Sequence, residues 1–425
     1  MNSLAWNSLP HEMQLAVLDA FPPAALNAFS RTCKSAHAFA VPAMFSSVTL
    51  PSFSALVQFL DNVPEAYWSH IRALDISTKF ESAIPPSAGA TPRTDALVRL
   101  LSRSLRLERL TLRLSGGLAS HVIHCFPHLR SLRHLEIENC DDEEVSPLSE
   151  DIIVSIASSI PALSTLRLTR ITRSVQHAPD LYPCPRSRSS SLTTSSYIAS
   201  VPLVATNFGS LSETTSLPYL LSIPTLKHLS IRNTHLGDPT WSSPFLPITC
   251  SLESLELGAH PDVSPSQNST FTHSILRRLS ISPSAPSLRH ITFHAGLDNS
   301  NDNSAITLPS LSSVHFTPLV IPETIQPSLD AFATSPLSKI TLECLKDDLI
   351  DMCEELTRYV ESLKDREVTS CLMVVAVKVV KSLEGDVLAR EIEADEGLDE
   401  DTREAVDGLV AACVDVSIIS SVDGI

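Results

Sequence analysis

Three stretches share one pattern: Leu107-Glu-Arg-Leu110-Thr-Leu112, Leu132-Arg-His-Leu135-Glu-Ile137 and Leu163-Ser-Thr-Leu166-Arg-Leu168. Each is aliphatic at its first, fourth and sixth positions and mostly polar between. Side chains alternate along a strand, so positions four and six share one face. The pattern recurs at Ile71/Leu74/Ile76, Leu226/Leu229/Ile231, Leu252/Leu255/Leu257, Leu288/Ile291/Phe293, Leu311/Val314/Phe316 and Leu337/Ile340/Leu342. Chance in a Leu-rich chain explains one or two copies, not nine. One such strand cannot bury its apolar face alone; stacked neighbours can, as a parallel sheet over a continuous aliphatic core. Pro161, Pro224, Pro286 and Pro309 each stand two residues before a copy, where proline ends a returning segment and starts an extended one.

Several copies start 23 to 26 residues apart, others 31 or 36. Repeats of ~20–29 residues with this pattern resemble leucine-rich repeats, each one strand plus a helix or irregular return. The fold expected is α/β: an irregular leucine-rich-repeat solenoid with parallel strands on a concave face and helices and loops on the convex face. Departures are visible. Only Cys140 supplies the Asn or Cys usual three residues after the last aliphatic position. Leu276/Leu279/Ile281 also matches, but only 12 residues before the next copy, and reads as the end of a returning helix. The interval from Leu163 to Leu226 holds a Ser/Pro/Arg-rich stretch, read as an exposed loop at about 173–218.

If positions four and six face inward, positions three, five and seven line the concave face. Candidate partner-contacting residues there are Arg109, Arg113, His134, Glu136, Arg167, His228, Arg232, His290, His294 and His315. The bland reading, polar side chains on a solvated face, competes with any pH-sensing or metal role for these histidines. His121, His124 and His128 have helical spacing but no acidic partner in their run, and no metal site is expected there.

The chain has 425 residues, 31 Lys+Arg and 48 Asp+Glu, a formal net charge of −17. That argues against non-specific binding to nucleic acid or anionic membranes. Only 11 glycines leave little room for a phosphate-cradling loop, and 30 prolines punctuate the chain. No stretch reaches the ~20 apolar residues of a membrane helix. With nine scattered cysteines and no secretory signal, an intracellular location, cytoplasm or nucleus, is expected. There is no G-x-S-x-G elbow, no Walker-type loop and no H-E-x-x-H, so a non-catalytic protein needing no cofactor is expected.

The N-terminus reads Leu9-Pro10-His11-Glu12-Met13-Gln14-Leu15-Ala16-Val17-Leu18-Asp19-Ala20-Phe21, then Pro22-Pro23. Ser8 is a candidate cap, and Pro10 and Glu12 suit a first turn. Two further short helices are expected over about 24–29 and 32–41, the last ending before Pro42. Three short helices bury little surface and need something to pack against.

This segment resembles an F-box. Leu9-Pro10, Glu12, Val17-Leu18 and Phe21 match its opening. Leu26 and Ser30-Arg31-Thr32-Cys33-Lys34 match its middle, and Pro42-Ala43-Met44-Phe45 with Val48-Thr49-Leu50 its close. Ala25 departs from the acidic residue usual before the second-helix Leu. The resemblance covers about residues 4–50 and implies docking on a Skp-type adaptor, and through it a cullin. Leu9, Pro10, Glu12, Val17, Leu18, Leu26 and Cys33 are the implied adaptor contacts. An F-box followed by repeats implies the substrate receptor of a ubiquitin ligase, with the repeats holding an unknown protein substrate. The alternative is a leucine-rich-repeat scaffold acting outside any ligase.

The expected organisation is an F-box over 4–50, the repeat solenoid over 51–345 and a C-terminal α/β cap over 346–425. Within the cap, Leu349, Cys353, Leu356, Val360 and Leu363 mark a helix face, and 371–380 a buried strand. A short helix over 398–413 and a last strand over 414–419 are expected. Residues 384–407 carry 11 Asp/Glu against two Arg. This run suits either a contact for a basic partner or, preferably, the polar outer face that a solenoid cap needs.

Overall fold

The computed structural model describes residues 9–79, 90–141, 147–172, 216–234, 236, 239–245, 247–259, 263–297, 306–345, 347–365, 374–380, 404–409 and 415–418. These fall into two compact units, 9–172 and 216–418. The Ser/Pro/Arg-rich stretch and most of the acidic segment lie outside the described residues.

In the first unit three helices, α1 (His11–Asp19), α2 (Pro23–Ser30) and α3 (Lys34–Met44), precede five parallel strands. These are β1 (Ser47–Leu50), β2 (Ala73–Ser77), β3 (Arg109–Leu114), β4 (His134–Asn139) and β5 (Thr165–Thr169). The second unit holds seven more in parallel order: β6 (His228–Thr234), β7 (Ser254–Ala259), β8 (His290–Phe293), β9 (Ser313–Phe316), β10 (Lys339–Leu345), β11 (Val374–Val380) and β12 (Asp415–Ile418). In all nine copies the fourth and sixth positions lie on strands β2 to β10, and the first position precedes the strand.

Register carries the pattern from strand to strand. Leu74, Leu110, Leu135 and Leu166 align across the first unit, and Ile76, Leu112, Ile137 and Leu168 align beside them. In the second unit Leu229, Leu255, Ile291, Val314 and Ile340 form the matching row. All are buried. Burying one such side chain is worth about 1.5–3 kcal/mol, so the array rather than any single repeat supplies the stability. The ladder extends one step before each strand. The Arg72 carbonyl accepts from Glu108 and Arg109, Glu108 from Arg133 and His134, and Arg133 from Ser164 and Thr165. In the second unit Lys227, Glu253, Arg289 and Ser312 repeat this double acceptance, using both lone pairs of each carbonyl.

Repeat length selects the return. The intervals of 31 and 36 residues contain the helices Ala90–Leu101, Glu150–Ser159 and Pro265–Ser280. Two shorter intervals close with the 3₁₀ segments Ser120–His128 and Pro239–Ser242. A 26-residue interval fits only the six-residue helix Ile325–Asp330 after a 3₁₀ turn. Leu276 and Leu279 lie in the helix Pro265–Ser280, as expected, and Ile281 caps its end.

The sheet does not stop at 345. Residues 374–380 pair in parallel with β10, and 415–418 with them in turn. The helix Leu349–Asp365 covers β10 through buried Leu349, Met352, Cys353, Leu356, Tyr359 and Val360. Residues 404–409 form a further helical turn with Val406 and Leu409 buried.

The N-terminal helices differ from expectation in their ends. Pro10 occupies the cap position of α1 rather than its first turn, and α1 has no side-chain cap bond; Ser8 lies outside the described residues. Pro22 caps α2 and Pro23 opens it, because proline's fixed φ suits the first helical position and its missing N–H costs nothing there. The third helix runs through Pro42 to Met44 instead of ending before it. The proline stands in the last turn, where one lost helical bond is tolerated. Cys33 caps α3, its Sγ accepting from the Ala36 N–H at 3.4 Å. This helix docks on the next segment through rings: Phe45 lies 5.2 Å from Tyr67 and 6.5 Å from Phe59.

Candidate functional site

The outward positions of the strands form rows across each sheet. In the first unit, register sets Arg109 beside His134 and Thr165, Asp75 beside Thr111, Glu136 and Arg167, and Arg113 beside Glu138. Arg109, Arg113, His134 and Arg167 are exposed and Glu136 is half-buried. Arg113 is held by carboxylates on both flanking strands: Nη1 donates to Asp75 at 3.1 Å, and Nε stands 3.8 Å from Glu138. Exposed pairs of this kind contribute at most about 1 kcal/mol, so their effect is to orient the guanidinium.

In the second unit the rows are His228, Ser254, His290, Ser313 and Lys339, then Ser230, Glu256, Thr292, His315 and Thr341; beyond Ile231 the register of β6 against β7 shifts, and Arg232 stands in that irregular stretch. Glu256 is the centre of this face and was not among the residues expected there. Its Oε1 accepts from Arg232 Nε at 2.6 Å and His294 Nε2 at 2.9 Å. Its Oε2 accepts from Ser230 Oγ at 2.7 Å and Arg232 Nη2 at 3.1 Å. All four acceptor directions are used, and a carboxylate that only accepts fixes the His294 proton on Nε2. Burial pushes the Glu256 carboxyl up, but the bonds from His294, Arg232 and Ser230 outweigh it and hold it well below its ordinary 4.5. The periodicity that located its neighbours could have found it, since it is position five of the Leu252 copy. Asp75 was missed on the same grounds.

Gly258 lets His294 reach. A β-carbon there would meet the His294 ring at 3.0 Å, so the imidazole lies across β7 where another residue would stand. Two further candidates of this group sit close together: the rings of His290 and His315 are 6.5 Å apart and 29° from parallel. His290 Nε2 meets the Thr292 hydroxyl at 3.2 Å, and His315 Nε2 lies 3.5 Å from Glu343. Burial and the charge of His315 push His290 below its ordinary 6.5.

At the N-terminus the candidates separate into two groups. Leu18 and Leu26 are core residues, packed with Ala40 and ringed by Phe21, Phe29, Phe39, Ala43 and Met44. Pro10, Glu12 and Cys33 are exposed, Leu9 is half-buried, and Val17 is 37% exposed. Met13, 54% exposed, was not expected and joins them. Pro10, Met13 and Val17 make an i, i+3, i+7 apolar stripe on the outside of α1, exposed among the described residues.

His121, His124, Cys125 and His128 line an open pocket of about 510 Å³ with Val98, Leu105 and Arg130. His121 Nε2 is engaged by Asp95 at 2.9 Å. Among the described residues no three His, Cys, Asp or Glu side chains are grouped to hold a metal ion, and no helix is long and apolar enough to cross a membrane. Neither family models nor curated proteins match the chain.

Proposed function

We propose that this protein is the substrate-recognition subunit of a Skp–cullin–F-box type ubiquitin ligase. In this reading α1–α3 are an F-box that docks on the adaptor, and the strands are leucine-rich repeats that hold a protein substrate on their outward rows. One observation carries it: the Pro10, Met13 and Val17 stripe is presented by a three-helix unit whose own core is already filled by Leu18, Leu26 and Ala40. Apolar side chains that a domain does not need for itself mark a helix-packing interface. The F-box-like motif over 4–50 names the partner, and the polar rows on the repeats leave a second surface free for another protein. Catalytic chemistry then resides in other subunits, in the cytoplasm or nucleus.

Co-purification with a Skp-type adaptor tests the proposal. The native chain retains the adaptor. A variant carrying Met13→Asp and Val17→Asp loses it while its thermal unfolding is unchanged. Undiminished capture by that variant would overturn the proposal.

A further inference from the structure

We propose that the outward strip of β8, β9 and β10 receives the acidic side chains of a protein partner, with His290, Ser313, His315 and Lys339 forming the cradle for a carboxylate. The inference rests on the reading of the strand face as the partner-binding surface and gives that surface a chemistry.

Register brings the groups together. His290, Ser313 and Lys339 occupy one row on three consecutive strands, and His315 stands two residues further along the middle one. Neighbouring strands are about 4.8 Å apart, so the row spans about 10 Å, the reach of one or two side chains of an extended peptide. Lys339 is exposed, and both histidines and Ser313 are half-buried, so the groups are open to a ligand.

The surrounding charges leave this cradle cationic when its histidines are protonated. On β7, Glu256 has all four acceptor directions filled. Just past β8, His294 is committed to that carboxylate. On β10, Glu343 stands within ion-pair distance of His315 at 3.5 Å and offsets one positive charge, so the cradle is net cationic only with both imidazoles protonated beside Lys339. Arg232 and His228 stand on β6, two strands from β8. Three of the chain's 15 histidines, His228, His290 and His315, stand on the outward rows of β6 to β9, with His294 just past β8, in a chain of net charge −17. A basic overall composition cannot account for them.

Two imidazoles 6.5 Å apart disfavour double protonation. A carboxylate seated between them and Lys339 removes that repulsion, so its binding takes up protons. The face is open rather than enclosed, so the occupant must bring its own contact area, as a peptide segment does and a small anion does not.

The experiment uses the full chain and a fluorescein-labelled octaglutamate peptide, followed by fluorescence anisotropy at low salt. Binding is expected to tighten about tenfold between pH 7.5 and pH 6.0, the linkage expected when binding the carboxylate takes up about one proton. The pH gain disappears in His290→Asn plus His315→Asn, Lys339→Ala weakens binding at both pH values, and His273→Asn on the helix Pro265–Ser280, away from the strand face, changes neither. Absence of binding at pH 6.0, or an undiminished pH gain in the double variant, overturns the proposal; Lys339→Ala, at an exposed site, keeps it testable if the double variant misfolds. Adaptor capture depends on α1 and not on these positions, so failure here with the adaptor still bound sinks this site alone.

Discussion

The imidazole of His294 lies over Gly258, with Cγ and Cδ2 each 3.0 Å from where a β-carbon would stand. The missing side chain opens the route by which His294 reaches Glu256 across the strand. Gly258→Ala is therefore expected to push the ring off the carboxylate and cost about 1.5–3 kcal/mol, the value of a bond to a charged group. Urea unfolding measures it. In a His294→Ala background the same change should be neutral or stabilising by about 0.5–1 kcal/mol, because alanine loses less backbone entropy than glycine. Equal costs in both backgrounds would sink the explanation.

Glu256 links the face to acid stability. Its folded carboxyl binds protons less readily than the unfolded one, so its contribution is complete above the ordinary 4.5 and is lost as pH falls toward the lowered folded value. Glu256→Gln should lower stability at pH 7 by about 1.5–3 kcal/mol and flatten the fall below pH 4.5. Unfolding measured from pH 7 to pH 3 checks both parts.

His290 works in the opposite range. Burial and His315 depress its folded pKa below 6.5, so the neutral form is favoured and stability falls as acid forces a proton on. A nuclear magnetic resonance titration should place its midpoint below 6.5, and His315→Asn should move that midpoint up. An unshifted His290 midpoint in the variant would remove the charge coupling between the two rings.

The N-terminal candidates divide by burial. Leu18, 1% exposed, should cost about 2–5 kcal/mol as Leu18→Ala, whereas Val17→Ala and Met13→Ala should stay within about 0.5 kcal/mol. Thermal unfolding separates them. A large effect at Val17 would assign it to the core instead of the surface stripe.

Phe293 and Phe316 stack with centroids 5.4 Å apart, and Phe332 packs 6.1 Å from the first. Phe316→Ala should cost about 3–5 kcal/mol. Each repeat touches mainly its neighbours, so hydrogen exchange should rise in β8 to β10 and leave β2 to β4 protected.

The strands were legible in the sequence because alternation with period two is a local property, and nine aligned copies of one pattern leave a single way to bury their aliphatic faces. The helix through Leu276 and Leu279 was legible too, since two copies 12 residues apart cannot both be strands. Helix ends were less so: Pro42 is tolerated in a last turn, and no local signal distinguishes that from a stop. Which N-terminal side chains are core was also not local, because Leu18 and Val17 are adjacent and only the placement of α2 and α3 buries one and leaves the other out. By itself, then, the amino-acid sequence determined the parallel strand order and the outward rows. Only the tertiary structure decided that Glu256 gathers Arg232, His294 and Ser230, and that His290 and His315 face each other. Those contacts join residues 24 to 38 apart in the chain, and they depend on register and on the space left at Gly258.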